Sequence, residues 1–412
     1  MDSNLHKQVI ELRGHIIDSL TLPRILDELL DFNVEFTIQR LTVGRGRSDP
    51  SYARIEIIAE SQELLETVLG EVQRLGAHPV QVDHVRLEPA SGDGVFPEQF
   101  YSTTNLKTLV KLNGDWVEVT HPEMDCGIVV EGKSACCVPV SEIKKGDLVV
   151  VGRDGIRVIP LDRPRSASPA FGFMGSAVSS EKPKAAFIRE IADRVRRVHA
   201  QGGKIAVVAG PAIIHTGAGA ALSRLIELGY VDYLFAGNAL ATHDIESSLF
   251  GTSLGVSLDG GLAQEGGHEH HLRAINKIRL AGGIQAAVEE GILRSGVMYT
   301  CVKKGVEFVL AGSIRDDGPL PEVVTDVIQA QGEMRRRIHS GVELCLMLST
   351  MLHSIAVGNM LPAEVFTVCV DINPATLTKL SDRGSFQSAG LVMDVGSFLH
   401  DLVSVIETGQ SH

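Results

Sequence analysis

Residues 204–245, KIAVVAGPAIIHTGAGAALSRLIELGYVDYLFAGNALATHDI, hold the pattern from which the fold can be read. Residues 205–209 are a short apolar run rich in β-branched side chains, the length of a strand buried on both faces of a parallel sheet. Gly210 and Pro211 end it, a turn of small residues follows, and residues 218–228 have helical periodicity. A second apolar run, 231–236, stops at Gly237 and Asn238. Strand, tight turn, helix and strand make one βαβ unit of an open α/β sheet. Gly210, Gly217 and Gly219 do not have the G-x-G-x-x-G spacing. The physical need is the same, because a phosphate or ribose comes close only where side chains are absent and helix amides point outward. Alternatively, the small residues merely let helix and sheet pack.

Working outward, 412 residues are long for one core, so two or three domains are expected. A net charge of −13 argues against a nucleic-acid partner or an anionic membrane surface. No apolar stretch reaches the roughly 20 residues that span a bilayer. The N-terminal MDSNLHKQVIELRGH lacks the apolar region of a secretory signal, so a cytoplasmic protein is expected. Cys126, Cys136, Cys137, Cys301, Cys345 and Cys369 are scattered, with no C-x-x-C pair, and read as reduced, buried thiols. Cys126 is a weaker candidate for a nucleophile, because EMDCGIVV alternates like a strand.

Upstream, residues 1–90 read as a ferredoxin-like α+β module in the order βαββαβ: strands at 9–12, 35–43, 53–59 and 80–87, with helices opened by Thr21 and Ser61. Residues 97–163 read as a small all-β subdomain of short strands joined by Asn113-Gly114, Gly146-Asp147 and Asp154-Gly155 turns. Residues 164–183 are a Ser/Pro/Gly-rich connection. Residues 180–412 form a Rossmann-like α/β domain with a parallel sheet.

In that last domain the apolar runs 307–311, 365–370 and 390–393 each stop at Gly, Asp or Asn. Repeated strand ends of this kind make a polar rim at one sheet edge, where doubly wound folds bind ligands. Asp371 and Asp394 can accept hydrogen bonds from ribose hydroxyls or cap helices; capping accounts less well for the repetition at Asn238, Asp316 or Asp317, Asp371 and Asp394. His268, His270 and His271 lack metal-ligand spacing, so no metal is expected; contact with an anionic substrate group and simple solvation stay open. Residues 344–362 (LCLMLSTMLHSIAVGNMLP) read as a central buried helix whose Ser349, Thr350 and His353 need partners, which a cofactor or the surrounding core would supply. Lys303 and Lys304 close a helix before residues 307–311.

The series GPAIIHTGAG, AGNALATHDIE, GHEHHLRAIN, YTCVKK, FVLAGSIRDDGPLPEV, TMLHSIAVGNMLP, VDINPATLTKLSDRGS and MDVGSFLHDL resembles the archaeal and cyanobacterial type of NAD-containing ornithine cyclodeaminase. RGHIIDSLTLPRILDELL is similar to the N-terminal conserved region of bifunctional lysine-oxoglutarate reductase/saccharopine dehydrogenases. The resemblance implies conversion of L-ornithine to L-proline and ammonia with tightly held NAD, in a domain similar to the NAD-binding fold of deoxyhypusine synthase. It implies a transient oxidation at the α-carbon, attack by the δ-amine, loss of ammonia and return of the hydride. It implies cofactor contacts from Asn238, Ala239, Asp317, Thr350, Met351, Leu352, His353, Asp371, Asp394 and Val395. Lys303, Asp316 and His271 are the catalytic candidates. A homo-oligomer, dimer or tetramer, is expected. The chain is too short for the arginine dihydrolase domain fused in cyanobacteria, so guanidine hydrolysis is not expected. The alternatives are an amino-acid oxidoreductase that releases NADH and a non-catalytic sensor of NAD or amino acids.

Overall fold

The computed structural model describes residues 5–17, 19–45, 49–80, 84–159, 184–254, 256–257, 269–316, 318–382 and 388–409. Contacts divide the chain into two compact units, Met1–Gly172 with Leu361–Glu364, and Phe173–Met360 with Val365–His412.

The first unit opens with β1 (His6–Gly14), α1 (Thr21–Asp31), β2 (Glu35–Thr42), β3 (Ser51–Ala59), α2 (Gln62–Arg74) and β4 (His78–Pro79). Their antiparallel sheet has the order β2-β3-β1-β4, the arrangement of a ferredoxin-like module. Ile55 and Ile57 of β3 alternate inward onto Ile25 and Leu29 of α1 and Val68 and Val72 of α2. Ser61 caps α2 by accepting the Leu64 amide, as its sequence position predicts. The closing strand differs from the 80–87 expectation. β4 is His78–Pro79, with Pro79 opposite Ile10 and the Val80 amide donating to the Val9 carbonyl at 3.0 Å.

The residues that follow join a second, seven-stranded sheet: β5 (Arg86–Pro89), β6 (Lys107–Leu112), β7 (Asp115–Thr120), β8 (Gly127–Glu131), β9 (Ser134–Val138), β10 (Leu148–Val151) and β11 (Ile156–Ile159), in the order β11-β6-β7-β9-β8-β10-β5. Asn113 and Gly114, both at positive φ, turn β6 into β7.

The second unit runs α3 (Lys184–Ala200), β12 (Lys204–Ala209), α4 (Ala212–His215), α5 (Gly219–Glu227), β13 (Tyr233–Gly237), α6 (Asn238–Phe250), β14 (Thr252–Ser253), β15 (Val256–Ser257), α7 (His270–Ala281), α8 (Ile284–Glu289), α9 (Val297–Lys304), β16 (Glu307–Ala311), β17 (Val323–Val324), α10 (Val327–His339), β18 (Val342–Leu348), α11 (Met351–Met360), β19 (Phe366–Asp371), α12 (Pro374–Asp382), β20 (Ser388–Val392) and α13 (Val395–Thr408). Seven of these strands form a wholly parallel sheet in the order β17-β16-β13-β12-β18-β19-β20. Five successive residues of β12, Ile205 to Ala209, have no exposed surface, so both faces of the sheet centre are covered. Strand order reverses between β12 and β18, which is the Rossmann switch point.

One expectation is corrected here. Residues 344–348 are not the start of a buried helix; they are most of central strand β18, and the helix begins only at Met351. A short apolar run buried on all sides has no periodicity to separate strand from helix. Ser349, in the left-handed region at φ 51°, makes the turn between the two.

Candidate active site

At the switch point the chain ends of β12 and β18 come together. Gly210 donates to the Leu348 carbonyl at 2.9 Å. A Cβ on Gly210 would lie 2.0 Å from the Ser349 carbonyl oxygen, so only glycine allows this approach. One strand over, a Cβ on Gly237 would lie 3.0 Å from Cε1 of His353, which reaches across from α11. Gly237 is the N-cap of α6 and brings no side chain to its first amides, which are left facing the sheet edge.

Asn238 opens α6 and is buried. Its Oδ1 accepts the Leu320 amide at 3.1 Å and the Thr242 hydroxyl at 3.2 Å, while Nδ2 donates to Asp316 Oδ1 at 3.2 Å. Asp316 Oδ2 accepts the Ser313 amide at 2.8 Å. The loop after β16 is thereby folded back over the end of β13, with a carboxylate at the rim. Burial holds His353 below the ordinary histidine range, so it is neutral at pH 7. Farther along, Asp371 is buried and accepts the Asn373 amide at 2.8 Å and the Thr376 hydroxyl at 3.1 Å. Asp394 caps α13, accepting the Ser397 amide at 2.8 Å.

Behind this rim lies a polar cluster that spacing did not reveal. His215 ends α4, the helix that leaves β12, and His243 sits on α6, the helix that leaves β13. Their rings meet edge to face at 4.8 Å. His243 Nδ1 lies 2.8 Å from Oε2 of Glu246, a residue with no exposed surface. Thr252 donates to Glu246 Oε1 at 2.9 Å and lies 2.8 Å from His270 Nδ1. His215 Nδ1 is 2.7 Å from Ser253 Oγ, and burial together with the neighbouring His243 holds His215 below its ordinary value. Asp244, between His243 and Ile245, points elsewhere. It accepts the amides of Val297 and Met298, both at 2.8 Å, and so caps α9. The signal for this cluster was the histidines and acids within GPAIIHTGAG and ATHDIE, but four elements assemble it and no single spacing encodes it.

The edge thus gathers Asn238, Asp316, Thr350, Met351, His353, Asp371 and Asp394 on the strand ends or the turns after them. Ala239 and Leu352 are exposed beside it, and Val395 is buried in the first turn of α13. His271, half-buried on α7, lies 6.5 Å from the His243 ring. Lys303 is not brought to this edge. It lies in the last turn of α9, which delivers the chain to the amino end of β16, and its ammonium sits 5.7 Å over the Tyr299 ring. Asp317 and His268 lie outside the described residues. Among the described residues, no three His, Cys, Asp or Glu side chains are arranged to hold a metal ion.

Residues 189–402 match the Rossmann-fold C-terminal region of ArgZ-like arginine dihydrolases, and residues 107–188 the first region of that C-terminal part. Residues 7–106 match the conserved region of the LOR/SDH bifunctional enzymes. A Methanothermobacter thermautotrophicus protein named ornithine cyclodeaminase is 54% identical over 405 residues, 98% of each chain. The crystal structure of apo ArgZ, a cyanobacterial arginine dihydrolase, is 40% identical over 98% of this chain and 59% of its own, with a TM-score of 0.86. A ternary complex of AgrE with ornithine and NAD+ is 44% identical over all of this chain and 59% of its own, with a TM-score of 0.54.

Proposed function

The chain belongs to the ornithine cyclodeaminase family of archaea and of the ArgZ-like proteins of cyanobacteria, and from that premise we propose that it converts L-ornithine to L-proline and ammonia with NAD held across the carboxyl edge of the parallel sheet. The observation that carries this reading is the switch point itself. Strand order reverses between β12 and β18, and the two chain ends meet there through Gly210.

The residues present fit a dinucleotide. Gly210 and Gly237 keep side chains out of the crevice, and the open amides of α6 offer donors to an anionic group. Asp371 and Asp394 each retain acceptor capacity beyond the bonds they make, as ribose hydroxyls require. We assign the cofactor contacts to Asn238, Ala239, Thr350, Met351, Leu352, His353, Asp371, Asp394 and Val395. When bound, NAD supplies a reversible hydride acceptor for the substrate α-carbon.

The protein's own part is to orient ornithine, exclude water and manage protons. Asp316, fixed by Asn238 and the Ser313 amide, presents an anion to a substrate ammonium. His271, whose ring lies 6.5 Å from that of His243, is the second candidate for handling protons. Neutral His353 lies against Gly237 and lends the crevice a hydrogen-bonding edge without adding charge.

The test is incubation of purified protein with ornithine and no added cofactor. Proline and ammonia in equal amounts, with no accumulation of NADH, are expected. NADH formed in proportion to ornithine consumed, or ligand binding with no turnover, contradicts the reading.

A further inference from the structure

We propose that His243 is the group that exchanges protons with ornithine at this site, and that buried Glu246 is the positioning residue that fixes its ring. The inference rests on the cyclodeaminase reading above.

Three helices that leave carboxyl ends of the parallel sheet each carry a histidine: His215 on α4, His243 on α6 and His353 on α11. Only one of the three is hydrogen-bonded to a carboxylate. His243 Nδ1 lies 2.8 Å from Glu246 Oε2, and Glu246 has no exposed surface. Leaving an anion there is expensive unless every acceptor is used. Thr252 donates to Oε1 at 2.9 Å, and the Leu254 amide to Oε2 at 3.3 Å. The Thr252 hydroxyl has one proton, given to Glu246, so it accepts from Nδ1–H of His270 at 2.8 Å. Glu246 is therefore an ionised acceptor braced by three donors, with His270 behind Thr252.

That arrangement sets the tautomer of His243. Its Nδ1 carries the proton that faces Glu246, so Nε2 carries the lone pair. The groups that face the ring are His215 from α4, His271 from α7 and Glu246 on its own helix. Burial and the neighbouring His243 hold His215 below its ordinary value, and the hydrogen bond of its Nδ1 is to the Ser253 hydroxyl, whereas His243 lies against the Glu246 carboxylate.

The proton balance is simple. An N–H bond of the substrate α-ammonium breaks and an Nε2–H bond forms, giving an imidazolium beside ionised Glu246. With that nitrogen a free amine, a bound NAD+ would be the acceptor for the hydride of the α-carbon. The δ-ammonium gives its own proton to solvent before it attacks, the His243 proton returns to the α-nitrogen as it departs in ammonia, and the proton that the ring nitrogen loses on cyclisation is regained when proline forms. Glu246 is never protonated, as for the orienting acid of a Ser-His-Asp triad.

A purely structural cluster would tie β14 to α6 and nothing more. The experiment therefore pairs activity with an NMR readout, on the full chain with NAD. His243→Ala is expected to lower kcat by about 10²–10⁴-fold with NAD affinity retained. Added imidazole is expected to restore part of that loss. Glu246→Gln keeps the shape but removes the charge and turns one acceptor oxygen into a donor; it is expected to lower kcat at least tenfold and to remove the Nδ1-protonated signal of His243 from histidine ¹⁵N spectra. Glu246→Asp is expected to recover part of both. A His243→Ala enzyme within threefold of the parent overturns the proposal, as does a loss that imidazole leaves untouched in a folded, NAD-binding variant. If the parent chain itself makes no proline, the cyclodeaminase reading has failed, while the NMR comparison still tests the His243–Glu246 pairing.

Discussion

Exchanging Asn238 for aspartate tests the sheet edge with a change of very few atoms. In the parent, Asn238 Nδ2 donates to Asp316 Oδ1 at 3.2 Å, and Oδ1 accepts from Leu320 and Thr242. Asn238→Asp keeps the shape and the acceptor and turns the donor toward Asp316 into a second carboxylate oxygen. At that separation two full charges repel by about 5 kcal/mol at an effective dielectric near 20. The pair can escape by retaining one proton. Keeping it at pH 7, on a group that ordinarily titrates near 3.9, costs about 4 kcal/mol, and this sets the ceiling of the penalty. The sign follows from linkage. The pair's upper pKa is raised above the unfolded value, so the folded variant holds a proton that the unfolded chain has lost. The deficit is small below about pH 4, grows as pH rises, and levels off above the raised pKa. Thermal unfolding of parent and variant at acid and neutral pH reads it directly. A penalty of this size shifts Tm by roughly 2–4 °C per kcal/mol for a domain of 150–250 residues. Asn238→Ala is the control: it strands the buried Leu320 amide and costs about 1–3 kcal/mol with no such pH trend. A Tm deficit for Asn238→Asp that is absent, or equal at both pH values, refutes the Asn238–Asp316 contact.

Three further outcomes are expected. Gly237→Ala places a methyl 3.0 Å from His353 Cε1 on a backbone at φ −98°, which any residue adopts; calorimetric titration should show weaker NAD binding with stability within about 1 kcal/mol of the parent, and an unchanged Kd would contradict the placement of His353. Burial pushes the Asp244 carboxyl up to about 6 from 3.8 against the pull of two amides, so its contribution to stability is fullest below about pH 4 and falls as pH rises toward 6; the Tm gap between parent and Asp244→Asn should narrow over that range, and a constant gap would contradict it. Burial pushes the Cys369 thiol to about 12 and raises Cys345 and Cys301 still further, so a thiol reagent should find at most the half-buried Cys136 in the native protein and all six cysteines in denaturant.

Much of the C-terminal fold is legible in the sequence because a parallel sheet writes a strong signal. Each β-branched run is brief and ends at Gly, Asn or Asp, and those ends are the rim that collects Asn238, Asp316 and Asp371. The same signal fails where burial is complete. Residues 344–348 are apolar on every side, so nothing in their pattern distinguishes the central strand from the helix that follows. The closing strand expected at 80–87 is displaced: the last strand of the first sheet is His78–Pro79, and Arg86–Pro89 belongs to the second sheet. Lys303, a catalytic candidate, lies in the last turn of α9, which leads to the amino end of β16. The His215, His243, Glu246 and Thr252 cluster was hidden for another reason: its members come from α4, α6 and β14, and only the folded chain closes the distances.

The central claim is that a nicotinamide dinucleotide lies over the carboxyl ends of β12 and β18. Electron density from crystals of this protein grown with NAD+ tests it most directly. A dinucleotide crossing the switch point, with Asn238 and His353 on one side and Asp371 on the other, is the expected result. Density for the dinucleotide at the amino edge near Lys303, or in the first unit, would contradict it.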